Sequence, residues 1–259
     1  MSNEYEFVEV DQRDHVLTVT INRPKVMNAL HPPANMEMSR VFDDFASDDD
    51  LWVAIVTGAG DRAFSAGNDL KHQASGGDMT MPKTGFGGLT HRFDLVKPTI
   101  AAVNGLALGG GLEIALACDI ILASDSAQVG LPEPRVGLAA LAGGIHRLPR
   151  QIGLKNAMAM MLTGRRIDAY EAHRIGLVQE VTPAGTLLDR AREWAAEIAA
   201  CAPLSVRATK EAAMGGLGRP VEEAISMRFD GLSRMFSSED FMEGPLAFAQ
   251  KRKPNWKGK

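Results

Sequence analysis

Ala101-Ala102-Val103-Asn104-Gly105-Leu106-Ala107-Leu108-Gly109-Gly110-Gly111-Leu112-Glu113-Ile114-Ala115 is the stretch on which the fold turns. The apolar run 99–103 reads as a strand buried on both faces. Three successive glycines then permit a tight turn and let a ligand approach the main chain closely. Apolar residues resume at helical spacing over 109–117. A helix that starts near Gly110 leaves its first N–H groups without intrahelical acceptors, aimed outward along the positive end of its dipole. Glu113, three residues on, lies roughly one turn along on the same face. An acid beside an exposed N–H suits proton chemistry next to a carbonyl. The same residues also read as packing glycines followed by a helix-favouring acid, so alone they leave both readings open.

Working outward, residues 119–123 form a further strand, completing a strand-helix-strand unit. Upstream, residues 52–57 are another continuous apolar strand, closed by Gly58-Ala59-Gly60. It leads into Phe64-Ser65-Ala66-Gly67-Asn68-Asp69-Leu70. Small residues at 65–67 again leave the main chain open, and the N–H of Asn68 is placed to act as a second donor beside that of Gly110. Two converging N–H groups make an oxyanion hole, worth about 3 to 4 kcal/mol per donor to a transition state. The plainer alternative is a turn with Asp69 capping a helix. Downstream, Pro132-Glu133-Pro134 holds a carboxylate between two rings of fixed φ, with Pro134 expected to extend the backbone of Glu133. Its plainer role is an ion pair with Arg135.

Around this centre, residues 7–10 and 16–21 read as a hairpin joined by the polar residues 11–14, and Pro24 ends the second strand. Residues 33–45 carry a helical apolar stripe. Residues 71–92, rich in glycine and without periodicity, are expected to form a mobile loop. From Gly143 onward the pattern is mostly helical, with a short strand at 177–181 and long helices at 186–200, 221–236 and 239–251.

Bulk properties narrow the function classes. The chain has 259 residues, 45% hydrophobic and 23% charged, with a net charge of -4. These values fit an ordinary globular α/β protein and offer no basic block to recruit nucleic acid. The one basic cluster, Lys251, Arg252, Lys253, Lys257 and Lys259, is either a solvated tail or an anion contact. No apolar run is long enough to span a bilayer, and no leader-like apolar core opens the sequence. Cys118 and Cys201 lie far apart in apolar, helix-like surroundings, as buried free thiols do, which points to a reducing, cytoplasmic setting. GxSxG, GxxxxGK[ST], GxGxxG and HExxH are all missing, which sets aside serine-hydrolase, phosphoryl-transfer, dinucleotide and zinc-protease readings. His146 reads as a structural polar contact.

Together the three motifs resemble the crotonase, or enoyl-CoA hydratase/isomerase, family, whose pattern has an FxAGxDL-like segment, a GGGxE segment and a PE segment 20 residues beyond the first glutamate. Here Glu133 follows Glu113 by that offset, 133 minus 113. The likeness extends to Asn22-Arg23-Pro24-Lys25, Asn28-Ala29-Leu30, Lys97-Pro98-Thr99 and Leu162-Thr163-Gly164-Arg165-Arg166, and so covers essentially the whole chain. Residues 238–258 resemble the carnitinyl-CoA dehydratase-like branch.

The resemblance implies an α/β crotonase (ClpP/crotonase) fold, in which repeated ββα units form a spiral core over residues 1–200 and a helical trimerisation region occupies 201–259. It implies a thioester oxygen held by the backbone N–H groups of Asn68 and Gly110, with Glu113 acting mainly on water and Glu133 mainly on the proton at C2. It places coenzyme A along Lys25, Val26, Ser65, Ala66, Gly67, Asp69 and Leu70, with Phe248 and Lys251 covering the nucleotide of this or a neighbouring subunit. The expected activity is that of an enoyl-CoA hydratase of fatty acid metabolism, a homotrimer or homohexamer that needs no metal or redox cofactor, coenzyme A being part of the substrate. Alternatives are a Δ3,Δ2-enoyl-CoA isomerase, a carnitinyl-CoA dehydratase, or a non-catalytic scaffold that binds coenzyme A. Asn68 stands where many hydratases have alanine, and the GNDL form occurs in the isomerases, which use one carboxylate.

Overall fold

The computed structural model describes residues 5–259. β1 (Val8–Arg13) and β2 (Val16–Ile21) pair antiparallel through a two-residue turn. Asp14 and His15 there take φ of 50° and 66°, the left-handed conformation that tight hairpin turns require. Residues 11–13, expected as the connection, are therefore strand, and the ladder runs on to Arg13 opposite Val16. After α1 (Pro32–Ser47), β3 (Val53–Gly58) and β4 (Ala63–Ser65) come in succession, followed by α2 (Leu70–Ala74). The next unit repeats the order with β5 (Thr99–Val103), β6 (Leu106–Leu108) and α3 (Gly110–Ala117), and a third begins with β7 (Ile120–Ser124) and β8 (Gln128–Gly130).

Successive strands of each unit enter different sheets. The larger sheet has the order β1-β2-β3-β5-β7-β10 and is parallel beyond the hairpin, β10 being Glu180–Thr182. The smaller has the order β4-β6-β8-β9, with β9 (Arg166–Asp168) antiparallel at its edge. The even spiral of strand pairs is the ββα repetition expected.

The apolar strands of the larger sheet are continuous because both faces are covered. Ile55, Ile100 and Leu122 face Leu187, Ala191 and Ala195 of α7 (Leu187–Ala199). Their neighbours Val56, Ala101 and Ile121 belong to the main core with Phe42 and Phe45 of α1 and Phe64 of β4. Between β8 and α7 lie α4 (Gly144–Ile152), α5 (Leu154–Thr163) and α6 (Ala169–Arg174). The chain ends in α8 (Pro203–Gly216), α9 (Val221–Ser226), α10 (Asp230–Phe236) and α11 (Glu239–Ala249).

Several boundaries differ from the sequence reading for identifiable reasons. The strand expected at 177–181 is displaced to β10, because Leu177 and Val178 fold back, donating their N–H groups to Ala172 O and burying both side chains. The single helix expected over 221–236 is two. The break falls at Phe229, which is extended, and the carboxylate of Glu211 on α8 accepts the N–H of Gly231 at 2.7 Å, starting α10 afresh. Cys201 is exposed rather than buried, while Cys118 is buried and its thiol is pushed up to about 12 by desolvation. Of residues 71–92, expected as a loop, 71–74 complete α2 and 86–88 form a 3-10 turn, and the second half of the segment is packed. Phe86, Leu89, Thr90 and Arg92 are buried, and Asn35 of α1 accepts the N–H of Gly87 at 2.7 Å. In the basic tail, Arg252 and Lys257 are paired with Glu243 and Glu239 of α11 at 2.6 and 3.0 Å.

Candidate active site

The smaller sheet is what brings the three motifs together. Its parallel strands β4, β6 and β8 place Ser65 beside Ala107 and Leu108 beside Gly130. Residues 66–70, 109–113 and 131–133 therefore leave the sheet at the same, carboxyl-terminal end, where open α/β sheets place their ligands. Gly109 is tied to the neighbouring strand by its N–H to Gly130 O at 2.9 Å. A Cβ added to Gly109 would stand 3.0 Å from Glu133 Oε1, so the PE segment lies directly over the glycine turn.

The segment 24–30 is docked on the same loop. The buried side chain of Asn28 donates to Ala63 O at 2.7 Å, Ser65 Oγ donates to Asn28 O at 2.8 Å, and Ala66 N–H donates to Met27 O at 2.9 Å. Lys25, exposed, and Val26, half-buried, immediately precede Met27 and Asn28, which make these contacts. Leu30 bridges Asn68 in parallel fashion, with Leu30 N–H donating to Gly67 O and Asp69 N–H to Leu30 O. The intervening N–H of Asn68 faces the other way. Neither it nor the N–H of Gly110 has an acceptor among the described residues. A Cβ on Gly67 would stand 2.8 Å from Gly110 N, so the two loops carrying these donors are in contact.

Asp69 has two structural tasks. It caps α2 by accepting the N–H of His72 at 3.2 Å and pairs with Arg23 at 3.1 Å. Burial pushes its carboxyl up, but these hydrogen bonds and the Arg23 charge outweigh it and hold the group below the usual range. Leu70 is exposed. The Asn68 side chain donates to Gln73 Oε1 at 2.7 Å and is thereby tied to α2. Phe248 and Lys251 lie on α11 and just past it, both exposed, and no hydrogen bond or ion pair joins them to this loop among the described residues. His146 is exposed on α4.

Glu113 is buried, and its Oε1 accepts the N–H of Gly144 at 2.8 Å. Desolvation pushes its carboxyl up to about 7; the Gly144 hydrogen bond opposes that and the neighbouring Glu133 adds to it. Glu133 opens a 3-10 turn over Glu133–Val136 instead of lying extended. Pro134 is tolerated at the second position because a first-turn N–H needs no acceptor. Arg135 donates to Thr163 O at 3.1 Å and forms no ion pair with Glu133. Glu133 Oε2 is buried with no hydrogen-bond partner among the described residues, and desolvation raises this carboxyl too. Because the charge of Glu133 further raises Glu113, one carboxyl stays protonated where the other ionises, as two complementary proton-transfer roles require.

The sequence reading missed two contributors. Gly144 supplies the N–H that holds Glu113, and the signal was available: Gly143-Gly144 opens α4 just as Gly109-Gly110 opens α3. Phe86 packs its ring against Gly110, a contact that only the tertiary fold creates.

Because the buried acid is costly when ionised, a stability prediction follows. Glu113 ionises near pH 4.5 unfolded but near 7 folded, so over that window the native state binds the extra proton and stability falls as pH rises. The loss is on the order of 3 kcal/mol above pH 7. Glu113→Gln is expected to melt several degrees above wild type at pH 8 and to lose that advantage at pH 5. A melting difference that is flat between those pH values would contradict the assignment.

A spiral of strand pairs feeding two sheets, with paired N–H donors and two acids at the ends of its parallel strands, defines the crotonase fold class. The chain belongs to the enoyl-CoA hydratase/isomerase family, whose model matches residues 11–259. It is 46% identical over 253 residues to a carnitinyl-CoA dehydratase of Proteus mirabilis (strain HI4320), covering 95% of this chain and 97% of that protein. It is 44% identical over 260 residues to a carnitinyl-CoA dehydratase of Escherichia coli (strain K12), covering 98% and 99%. The crystal structure of an enoyl-CoA hydratase from Mycobacterium tuberculosis H37Rv superposes with a TM-score of 0.93 at 40% identity, covering 98% of this chain and all of that one. No helix among the described residues is long and apolar enough to cross a membrane.

Proposed function

We propose that this chain is a hydro-lyase of acyl-CoA thioesters that interconverts a 3-hydroxyacyl-CoA and its 2-enoyl-CoA, with carnitinyl-CoA, dehydrated to crotonobetainyl-CoA, as its foremost substrate. One observation carries the reaction type: the buried carboxyl of Glu113 and the half-buried one of Glu133 lie beside the turn that carries the unengaged N–H groups of Asn68 and Gly110. The substrate is carried by the relatives: the two named above are carnitinyl-CoA dehydratases aligned over nearly the whole chain, which moves the reading from a general enoyl-CoA hydratase toward that branch.

In dehydration, the ionised Glu133 takes a proton from C2 of the thioester. The negative charge moves to the thioester oxygen, where the N–H groups of Asn68 and Gly110 receive it. Protonated Glu113 delivers its proton to the 3-hydroxyl, which leaves as water when the C2–C3 double bond forms. Hydration is the reverse. A folded pKa near 7 suits Glu113 to both directions at neutral pH. The reaction needs the two carboxyls, water and the thioester. Lys25, Val26, Ser65, Ala66 and Leu70 would line the path of the coenzyme A moiety, and Phe248, exposed on α11, with Lys251, exposed just past it, would cover the nucleotide of an adjoining subunit in a homotrimer or a dimer of trimers.

A panel of thioesters tests the reading. Crotonobetainyl-CoA and crotonyl-CoA are expected to lose their conjugated-thioester absorbance in the presence of the protein, with the higher kcat/KM for crotonobetainyl-CoA. Conjugation gained from a 3-enoyl-CoA without uptake of water would instead assign an isomerase. Binding of coenzyme A with no turnover of any member would leave a scaffold.

A further inference from the structure

Arg147, on α4, is a half-buried cation to which the chemistry above gives no task. Its Nη2 donates to Thr90 O at 2.8 Å, and its guanidinium stands 5.6 Å from the centre of the Phe93 ring. The same group lies against Gly143. The next residue, Gly144, donates the hydrogen bond that holds Glu113. Residues 86–93, which Arg147 grips, also carry Phe86, whose ring covers Gly110. One guanidinium therefore touches both the segment that roofs the oxyanion donors and the turn that seats the first acid.

We propose that Arg147 is the positioning residue of the site: it ties residues 86–93 to the start of α4 and sets the charge environment of Glu113 without contacting substrate. The groups that face Glu113 are the Glu133 carboxyl from its 3-10 turn and the Arg147 guanidinium from α4. Arg147 also faces the Cys118 thiol, which is pushed up to about 12 and so carries no charge at neutral pH. Arg147 is then a cation set against the repulsion between the two acids, weaker in effect than that repulsion and than the hydrogen bonds Glu113 accepts from the N–H groups of Gly144 and Ala142. Half-burial disfavours its own charge, which the Glu113 carboxylate in turn supports. The kinetic consequences rest on the hydro-lyase reading; the electrostatic one does not.

The test uses Arg147→Gln and Arg147→Lys in the full chain. The titration of Glu113 is followed in ligand-free protein by NMR of ¹³C-labelled glutamate, with Glu113→Gln supplying the assignment. Removing this opposite charge is expected to move the midpoint measurably up in Arg147→Gln, by at most about one unit. The acidic limb of the kcat profile for hydration is expected to move with it, so that kcat at pH 7 falls by up to about five-fold as the ionised fraction drops from about a half towards about a tenth. Arg147→Lys keeps the charge and is expected to leave the midpoint in place while raising KM several-fold, because an ammonium cannot hold Thr90 O and the Phe93 ring together. A purely structural arginine would lower melting temperature or kcat without moving the limb, and an unmoved midpoint in Arg147→Gln overturns the proposal. Should that variant not fold, the guanidinium ¹⁵N signals of wild type replace it: they are expected to shift with the midpoint of Glu113, and a flat response is equally decisive against the proposal. If wild type turns over no thioester while the midpoint still moves, the hydro-lyase reading fails and the role of Arg147 stands.

Discussion

Glu133→Gln is expected to lower kcat for the hydration of crotonobetainyl-CoA by about three orders of magnitude, with the affinity for coenzyme A within about two-fold of wild type. The amide is isosteric with the carboxyl it replaces, which keeps the contact over the Gly109 turn. Oε2 has no partner among the described residues, and the one hydrogen bond the carboxyl accepts, from Glu133's own N–H, is one an amide oxygen can still accept, so the exchange leaves the turn intact. What is lost is the capacity to give or take the proton at C2, and a positioned general acid or base contributes about 10² to 10⁴ in rate. Glu113→Gln is expected to show a loss of similar order, but with raised stability at pH 8. The double variant should cost little more than either alone, because the two carboxyls act within one proton-transfer event. Steady-state rates with calorimetric titration of coenzyme A check all three. A rate in Glu133→Gln within ten-fold of wild type would remove that residue from the mechanism.

How far the site could be read from the chain depends on where each part of it gets its signal. The larger sheet was legible because its strands are covered on both faces, so that residues 52–57 and 99–103 are apolar throughout, without alternation. The glycine turn before Glu113 was legible for the same local reason. The smaller sheet was not. β4, β6, β8 and β9 are three residues each, too short to display a period. Yet their register is what converts three separate motifs into one site, and the family resemblance supplied that convergence before the geometry did. Pro134 misled in the opposite direction. The rule that extends a residue before proline yields where the proline falls in the first turn of a helix, and Glu133 sits there. Arg147 carries no local signal. Its partners, Thr90, Phe93 and Gly143, come from two segments about 50 residues apart, and only the packed chain shows that one guanidinium reaches both.

The oxyanion hole makes the second large prediction, and it can be separated from ordinary backbone strain. Gly67 has φ of +88°, and a Cβ there would stand 2.7 Å from Leu108 O and 2.8 Å from Gly110 N. Gly67→Ala therefore forces apart the loops that carry the two donors, and Gly110 must retreat from the position where the proposed mechanism has the thioester oxygen accept its N–H. Losing one such donor costs about 10² to 10³ in kcat, and a fall of that size is expected here. Any L-residue at this φ also pays roughly 1 to 2 kcal/mol in the folded state, which by itself would show as a lower melting temperature. Gly76→Ala supplies the comparison, since Gly76 has φ of +74° and nothing within 4 Å of an added Cβ. It bears the same backbone penalty without touching the site. The expected pattern is a drop in melting temperature for both variants, larger in Gly67→Ala by the cost of its two clashes, with kcat collapsing only in Gly67→Ala. Equal turnover in the two would mean that the N–H of Gly110 receives no charge in the transition state, and the carbonyl would then have to be polarised from elsewhere in the loop.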